Sequence, residues 1–213
     1  MSRRRSSHSY GFVLVMIVGT FVFIAGGPDS GQWGQSVLVL LQSTTLMAAL
    51  WTSGLGRAAV RPSAFLAILG ITVAVLQLLS GGDTLAGLVG VVNALLILAI
   101  LVVIAVGIFD QRTVNAQSIL GAICIYVLIG IMFTFVYGAV ATLGSGDFFA
   151  QGTDGNPSIR LYFSYVTLAT IGYGDYTTAS DLGHTLAITE GLVGQLYLVT
   201  VVSVVVGRLA RGR

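Results

Sequence analysis

The 213-residue chain has no lysine, a single cysteine, three prolines and eight acidic residues, and its ten basic residues are all arginine. Charged residues make up 8% of it, whereas a soluble domain carries about 25%. So little polar surface cannot cover a water-exposed globule, and the 55% hydrophobic content makes the membrane the default solvent. The net charge of +2 is small and gives no footprint for nucleic acid. Cys124 cannot form an intrachain disulfide. Lying in an apolar run, it reads as a small buried residue. The apolar stretches hold no Ser/His/Asp set, no Cys/His pair and no metal-ligand cluster, so no catalytic residue and no cofactor is implied. No stretch reads as a soluble nucleotide- or calcium-binding domain.

What the chain does have is long apolar runs. A hydrocarbon core about 30 Å thick needs roughly 20 apolar helical residues, with about 17–25 tolerated. Six stretches meet this, at about 11–27, 36–53, 63–80, 84–109, 117–143 and 185–207. Charges, Gly, Pro and Asn collect between them, at Gly27-Pro28-Asp29, Gly56 to Pro62, Gly81-Gly82-Asp83, Asp110-Gln111-Arg112 and a polar tract from Gly144 to Pro157. With the N-terminus in the cytoplasm, Arg3, Arg4, Arg5, Arg57, Arg61, Arg112, Arg208, Arg211 and Arg213 fall inside and only Arg160 outside. That split follows the positive-inside rule and predicts an all-α membrane protein with six transmembrane helices and both termini cytoplasmic. A cleaved signal peptide over the first run is the alternative at the N-terminus; intact mass separates the two.

Between the fifth and sixth runs lies a segment too short to cross. Residues 158–169 suit a short helix after Asn156-Pro157, with Ser158 available as its N-cap. This segment leads into Thr170-Ile171-Gly172-Tyr173-Gly174-Asp175. Both flanking runs meet the outside, so it must dip in and return to the same face. Non-helical backbone at that depth is tolerated only when buried in protein or lining a water-filled path. A surface turn is the bland reading of Gly-Tyr-Gly-Asp, and the apolar context speaks against it. A dinucleotide-binding reading fails for want of a βαβ unit.

Thr170-Ile171-Gly172-Tyr173-Gly174-Asp175 resembles the potassium-channel selectivity filter, usually written TVGYGD, with Ile for Val. The preceding Phe163-Ser164-Tyr165-Val166-Thr167-Leu168-Ala169 resembles that family's pore helix. The likeness is specific over about 117–207. More loosely, the layout resembles small prokaryotic six-helix channels. It implies a voltage-gated-like tetrameric potassium channel architecture with a re-entrant pore helix at 158–169, a filter at 170–175 and an inner helix at 185–207. Residues 1–10 form a cytoplasmic N-terminus, 11–109 a four-helix scaffold, 110–116 a linker, 117–207 the pore domain with its outer helix at 117–143, and 208–213 a cytoplasmic C-terminus. The resemblance further implies a homotetramer in the cell membrane, touching lipids, that conducts potassium ions passively. Potassium would be held by the backbone carbonyls of Thr170, Ile171, Gly172 and Tyr173, with Ile171 and Tyr173 pointing back into the protein and Asp175 at the outer mouth. The residues suit this. Successive carbonyls must face one axis, which a β-strand forbids, and Gly172 and Gly174 can adopt backbone angles closed to other residues.

Other residues carry competing readings. Glu190 is the lone carboxylate inside a run. It is read as a brace behind the pore helix, facing Thr167, Thr170 or a neighbour's hydroxyl, against a protonated and idle group. Gly194 has the spacing of the family's inner-helix hinge, with Gly191 beside it; close helix packing is the alternative for both. Gln195, Leu198, Val199 and Val202 form a helical stripe suited to a cavity wall. Residues 84–109 hold no arginine, so strong voltage gating is not expected. His184 reads as an ordinary solvated histidine or an external proton sensor. Tyr10, Trp33, Trp51 and Tyr137 read as interfacial anchors. A non-selective pore, a secondary transporter and a regulatory subunit of another channel are the other classes weighed. No second filter-like segment occurs in 1–116 to favour a transporter's paired repeats.

Overall fold

A computed structural model describes residues 10–26, 32–53, 57–80, 82–109, 116–203 and 207. Arg3, Arg4, Arg5, His8, Arg112, Arg208, Arg211, Arg213 and most of the linker lie outside these, as do the side chains of Arg57 and Val202.

The described chain is all-helical. Its elements are α1 (Tyr10–Gly26), α2 (Gln32–Ser53), α3 (Arg57–Ser80), α4 (Asp83–Phe109), α5 (Ala116–Leu143), α6 (Pro157–Leu168) and α7 (Asp181–Tyr197), the last continuing into a π-helical turn at Leu198–Val202. Among the described residues, four helices are long and apolar enough to cross a membrane, namely α2, α3, α4 and α5. At 17 residues, α1 is about 25 Å long at ~1.5 Å per residue, the short end of what a bilayer core needs.

Consecutive long helices alternate in direction. Tyr10 at the start of α1 bonds Gln117 at the start of α5, so these two run parallel. In contrast, Gly90 lies against Ala139 and Gly121 against Ile108, which sets α4 antiparallel to α5. Ser53 approaches Gly107, setting α2 parallel to α4. The Tyr197 hydroxyl reaches the Ala122 carbonyl, which sets α7 antiparallel to α5. This order follows from short connections, which leave each helix no route but back along its predecessor.

The main seam joins α4 and α5, where Leu96, Ile97, Ile100, Ile104, Cys124, Leu128 and Ile131 are buried. Cys124 thus takes the place expected of it. Outward-facing side chains of α3 such as Phe65, Ile68 and Leu79 stay exposed, as suits a helix that meets lipid rather than water. Trp33 and Trp51 are likewise exposed. Tyr10 and Tyr137 are not anchors at a surface: both are fully buried. An aromatic ring beside a helix end satisfies the interfacial pattern and the core pattern equally, and here the contacts of α5 claim Tyr137.

Candidate pore-loop site

The short helix α6 starts one residue earlier than the spacing predicts. Asn156, not Ser158, is its N-cap, its side-chain oxygen accepting from the Ile159 N–H at 2.9 Å, with Pro157 in the first turn. Proline at the first helical position needs no hydrogen-bond donor, which leaves the cap to Asn156. The freed Ser158 hydroxyl instead donates to the Ala25 carbonyl of α1 at 3.0 Å. Phe21 of α1 also meets the Tyr165 ring edge-on, centroids 5.2 Å apart. Tyr165 in turn donates to the Val127 carbonyl of α5 at 2.6 Å. The short helix is therefore held from both α1 and α5.

At its end the chain leaves helical geometry. The Thr170 N–H bonds the Thr167 carbonyl at 2.9 Å, and the Ile171 and Gly172 N–H groups share the Val166 carbonyl at 2.9 and 3.3 Å. Residues 170–175 then run without regular secondary structure. Thr170, Gly172 and Gly174 have φ of 55°, 58° and 79°; Ile171 and Tyr173 do not share the positive sign. The left-handed region is open to glycine and costly for a β-branched residue such as Thr170. Every second residue of the stretch is thus left-handed. The glycines forecast two of these positions; nothing in the sequence forecast Thr170.

The chain's own residues leave this stretch exposed. Ile171 is 54% and Tyr173 69% accessible, so neither points into its own chain's core as the resemblance implies. Tyr173 stacks on Tyr162 of α6, ring planes 7° apart and centroids 6.5 Å apart. Tyr162 donates to the Asp175 carboxylate at 2.8 Å. At the other end, the Gln195 amide donates to the Thr170 hydroxyl at 3.1 Å, tying α7 to the start of the stretch.

The tract after α5 does more than connect. Phe149 pairs with Thr178, and the Ala150 and Ala179 N–H groups bond the Thr177 and Phe148 carbonyls. Phe148, Phe149, Phe163, Tyr137 and Tyr176 pack ring against ring beneath. Sequence reasoning missed this buttress; its signal was the Phe-Phe pair inside an otherwise polar tract. The helix α7 starts at Asp181, capped by Ser180, four residues before the predicted 185. His184 bonds the Thr178 carbonyl at 2.8 Å.

Glu190 is fully buried. The hydroxyls of Tyr137 on α5 and Ser164 on α6 both hydrogen-bond its carboxyl. Its partners are therefore neither Thr167 nor Thr170. Gly194 is buried against the end of α6, where a Cβ would stand 2.5 Å from the Leu168 carbonyl oxygen; at Gly191 the nearest atom, the Thr167 oxygen, is 3.7 Å away. Close packing explains Gly194 directly, and the irregularity in this helix falls at Leu198–Val202 rather than at the glycines. Leu198 and Val199 are exposed.

The family profile described as "Ion channel" matches residues 96–211. A curated relative, the inward rectifier potassium channel Kirbac3.1 of Paramagnetospirillum magnetotacticum, is 36% identical over 73 residues. The match covers 34% of this chain and 25% of that protein, so the chain spans about a quarter of that relative's length. No solved structure matches the chain.

Proposed function

The chain belongs to the ion-channel family, and from that premise we propose that it is one subunit of a homotetrameric, potassium-selective channel of the cell membrane. The observation that carries this is the left-handed backbone at Thr170, Gly172 and Gly174, directly after a short helix. Alternating the hand of the backbone cancels the strand's own alternation, and so brings successive carbonyls to one side. Four copies around an axis would then offer rings of oxygens from Thr170, Ile171, Gly172 and Tyr173 in place of a potassium ion's hydration shell. The exposure of Ile171 and Tyr173 in a single chain suits burial against a neighbouring subunit. The curated potassium channel relative supports potassium as the permeant ion.

In this reading the chain crosses the membrane six times with both termini cytoplasmic. The alternating helix directions agree with that topology. Residues 11–109 are the scaffold, 117–207 the pore domain, and α6 with the filter 170–175 forms a re-entrant loop. Asp175, held by Tyr162, attracts cations to the outer mouth. Glu190 braces α6 from behind against α5. Gly191 and Gly194 let α7 approach α6. Gln195 steadies Thr170 at the filter's inner end, and the exposed Leu198 and Val199 continue the cavity wall. Conduction is passive and needs no catalytic group.

Potassium flux into phosphatidylethanolamine–phosphatidylglycerol liposomes containing the purified full-length chain tests the proposal. Flux that is lost in Gly172→Ala, with a reversal potential set by potassium in mixed potassium and sodium, is expected. Equal permeation of both ions would overturn the selectivity, and no flux from a stable tetramer would overturn the channel.

A further inference from the structure

Arg160 sits in the first turn of α6, and its guanidinium lies flat on α5: a Cβ on Gly138 would stand 3.3 Å from its Nε. One terminal nitrogen donates to the Gly155 carbonyl at 2.9 Å and the Asp154 carbonyl at 3.3 Å. The Nε–H is buried and has no partner. Bordering the same space from the scaffold is Asn93 of α4, 1% exposed. Its amide nitrogen donates to the Val89 carbonyl of its own helix, and its Oδ1 is buried and unpartnered. Both residues line one chamber of about 40 Å3, together with Gln35 of α2 and Thr134 and Thr142 of α5.

A buried donor and a buried acceptor left open are each costly, because neither recovers the hydrogen bond it had in water. Here both residues border the same space, whose lining mixes polar side chains with Leu38, Phe135 and Pro157. That space exceeds the roughly 10–15 Å3 one water requires. The Thr134 and Thr142 hydroxyls spend their hydrogens on the Gly130 and Gly138 carbonyls, which leaves their oxygens only to accept. Gln35 accepts from Gln77 through its Oε1, which leaves its amide hydrogens to donate, so the lining mixes donors and acceptors and suits water, which supplies both roles.

We propose that this chamber is a hydration site whose ordered water joins Asn93 of the scaffold to Arg160 of the pore-loop helix, and that this bridge lets the four N-terminal helices bias the filter. The site itself stands on the geometry alone; its effect on conduction rests on the channel reading above.

Two measurements on the full-length tetramer test it separately. A density map that resolves ordered waters, with bromide-soaked crystals for comparison, is expected to show water within hydrogen-bonding distance of both Asn93 Oδ1 and Arg160 Nε. A dry chamber, an anomalous bromide signal there, or a carboxylate of another subunit on Arg160 would overturn the site. Liposome flux from Asn93→Leu, Arg160→Gln and the double variant then tests coupling. Asn93→Leu alone is expected to change flux several-fold, with little further change when Arg160→Gln is added. Multiplicative effects of the two substitutions, or unchanged flux in Asn93→Leu, would overturn the coupling while leaving the channel reading intact. Should Arg160→Gln fail to assemble, Asn93→Asp serves instead: it offers the cation a direct partner and is expected to raise tetramer stability, and a loss of stability would count against the shared chamber.

Discussion

The Ser164 hydroxyl lies between two oxygen partners, 2.7 Å from the Gly130 carbonyl and hydrogen-bonded to the Glu190 carboxyl. A serine has one hydroxyl hydrogen, and a backbone carbonyl can only accept. The network closes completely when that hydrogen goes to Gly130 and Glu190, protonated, donates to the Ser164 oxygen. Tyr137 then donates to the other carboxyl oxygen. In that arrangement the group is a neutral clasp joining α5, α6 and α7.

Glu190→Gln should therefore be nearly silent, since an amide can donate to Ser164 and accept from Tyr137. Glu190→Leu strands two buried hydroxyls and should cost about 1–3 kcal/mol for each group left unpaired, read as earlier thermal dissociation of the tetramer and lower flux. If Gln proves as damaging as Leu, the clasp depends on charge and the neutral network is wrong.

The two glycines of α7 should respond differently to the same methyl group. At Gly194 an added Cβ meets the Leu168 backbone oxygen at 2.5 Å, while at Gly191 it stands 3.7 Å from the Thr167 oxygen. Backbone cannot move aside as a side chain can, so Gly194→Ala should cost about 1–3 kcal/mol, as overpacking does, and displace α6. Gly191→Ala should be tolerated or slightly stabilising, since alanine favours a helix by about 1 kcal/mol over glycine. Thermal melting of the purified tetramer and flux read both. A hinge at Gly194 would instead leave stability unchanged and alter gating.

The long apolar runs and the Gly-Tyr-Gly spelling were legible because each is a local pattern with one physical cause. What escaped depended on partners far along the chain. Tyr137 looks like an interface anchor until Glu190, 53 residues away, is placed beside it. Ser158 and Asn156 are both able caps, and only the seating of Pro157 decides between them. The 144–157 tract reads as a loop by composition, yet Phe148 and Phe149 pair with and pack against 176–179. The left-handed backbone at Thr170 has no signature, because threonine is among the residues least suited to it.

Tyr162 is expected to govern the outer mouth. Its hydroxyl holds Asp175 and its ring stacks on Tyr173. Tyr162→Phe keeps the stack and removes the bond. It should leave assembly intact while reducing the preference for potassium over sodium, measured as a shift of reversal potential. Tyr162→Ala removes both contacts and should shift it further. Equal shifts would mean that the hydrogen bond alone matters; no shift in either would detach Tyr162 from the filter.

Voltage should have little hold on this protein. One elementary charge crossing the full membrane potential is worth about 2.3 kcal/mol per 100 mV, and steep gating uses several per subunit. Helix α4 carries no arginine between Asp83 and Phe109, and its polar side chain Asn93 is neutral. The described basic residues Arg61 and Arg160 sit near the starts of α3 and α6, where motion of α4 would not carry them across the bilayer. Current recorded from reconstituted channels between −150 and +150 mV should show an open probability that changes less than several-fold across the range. A steep sigmoidal conductance would require moving charge that these helices do not hold, and would point to the permeating ions or to a partner protein as its source.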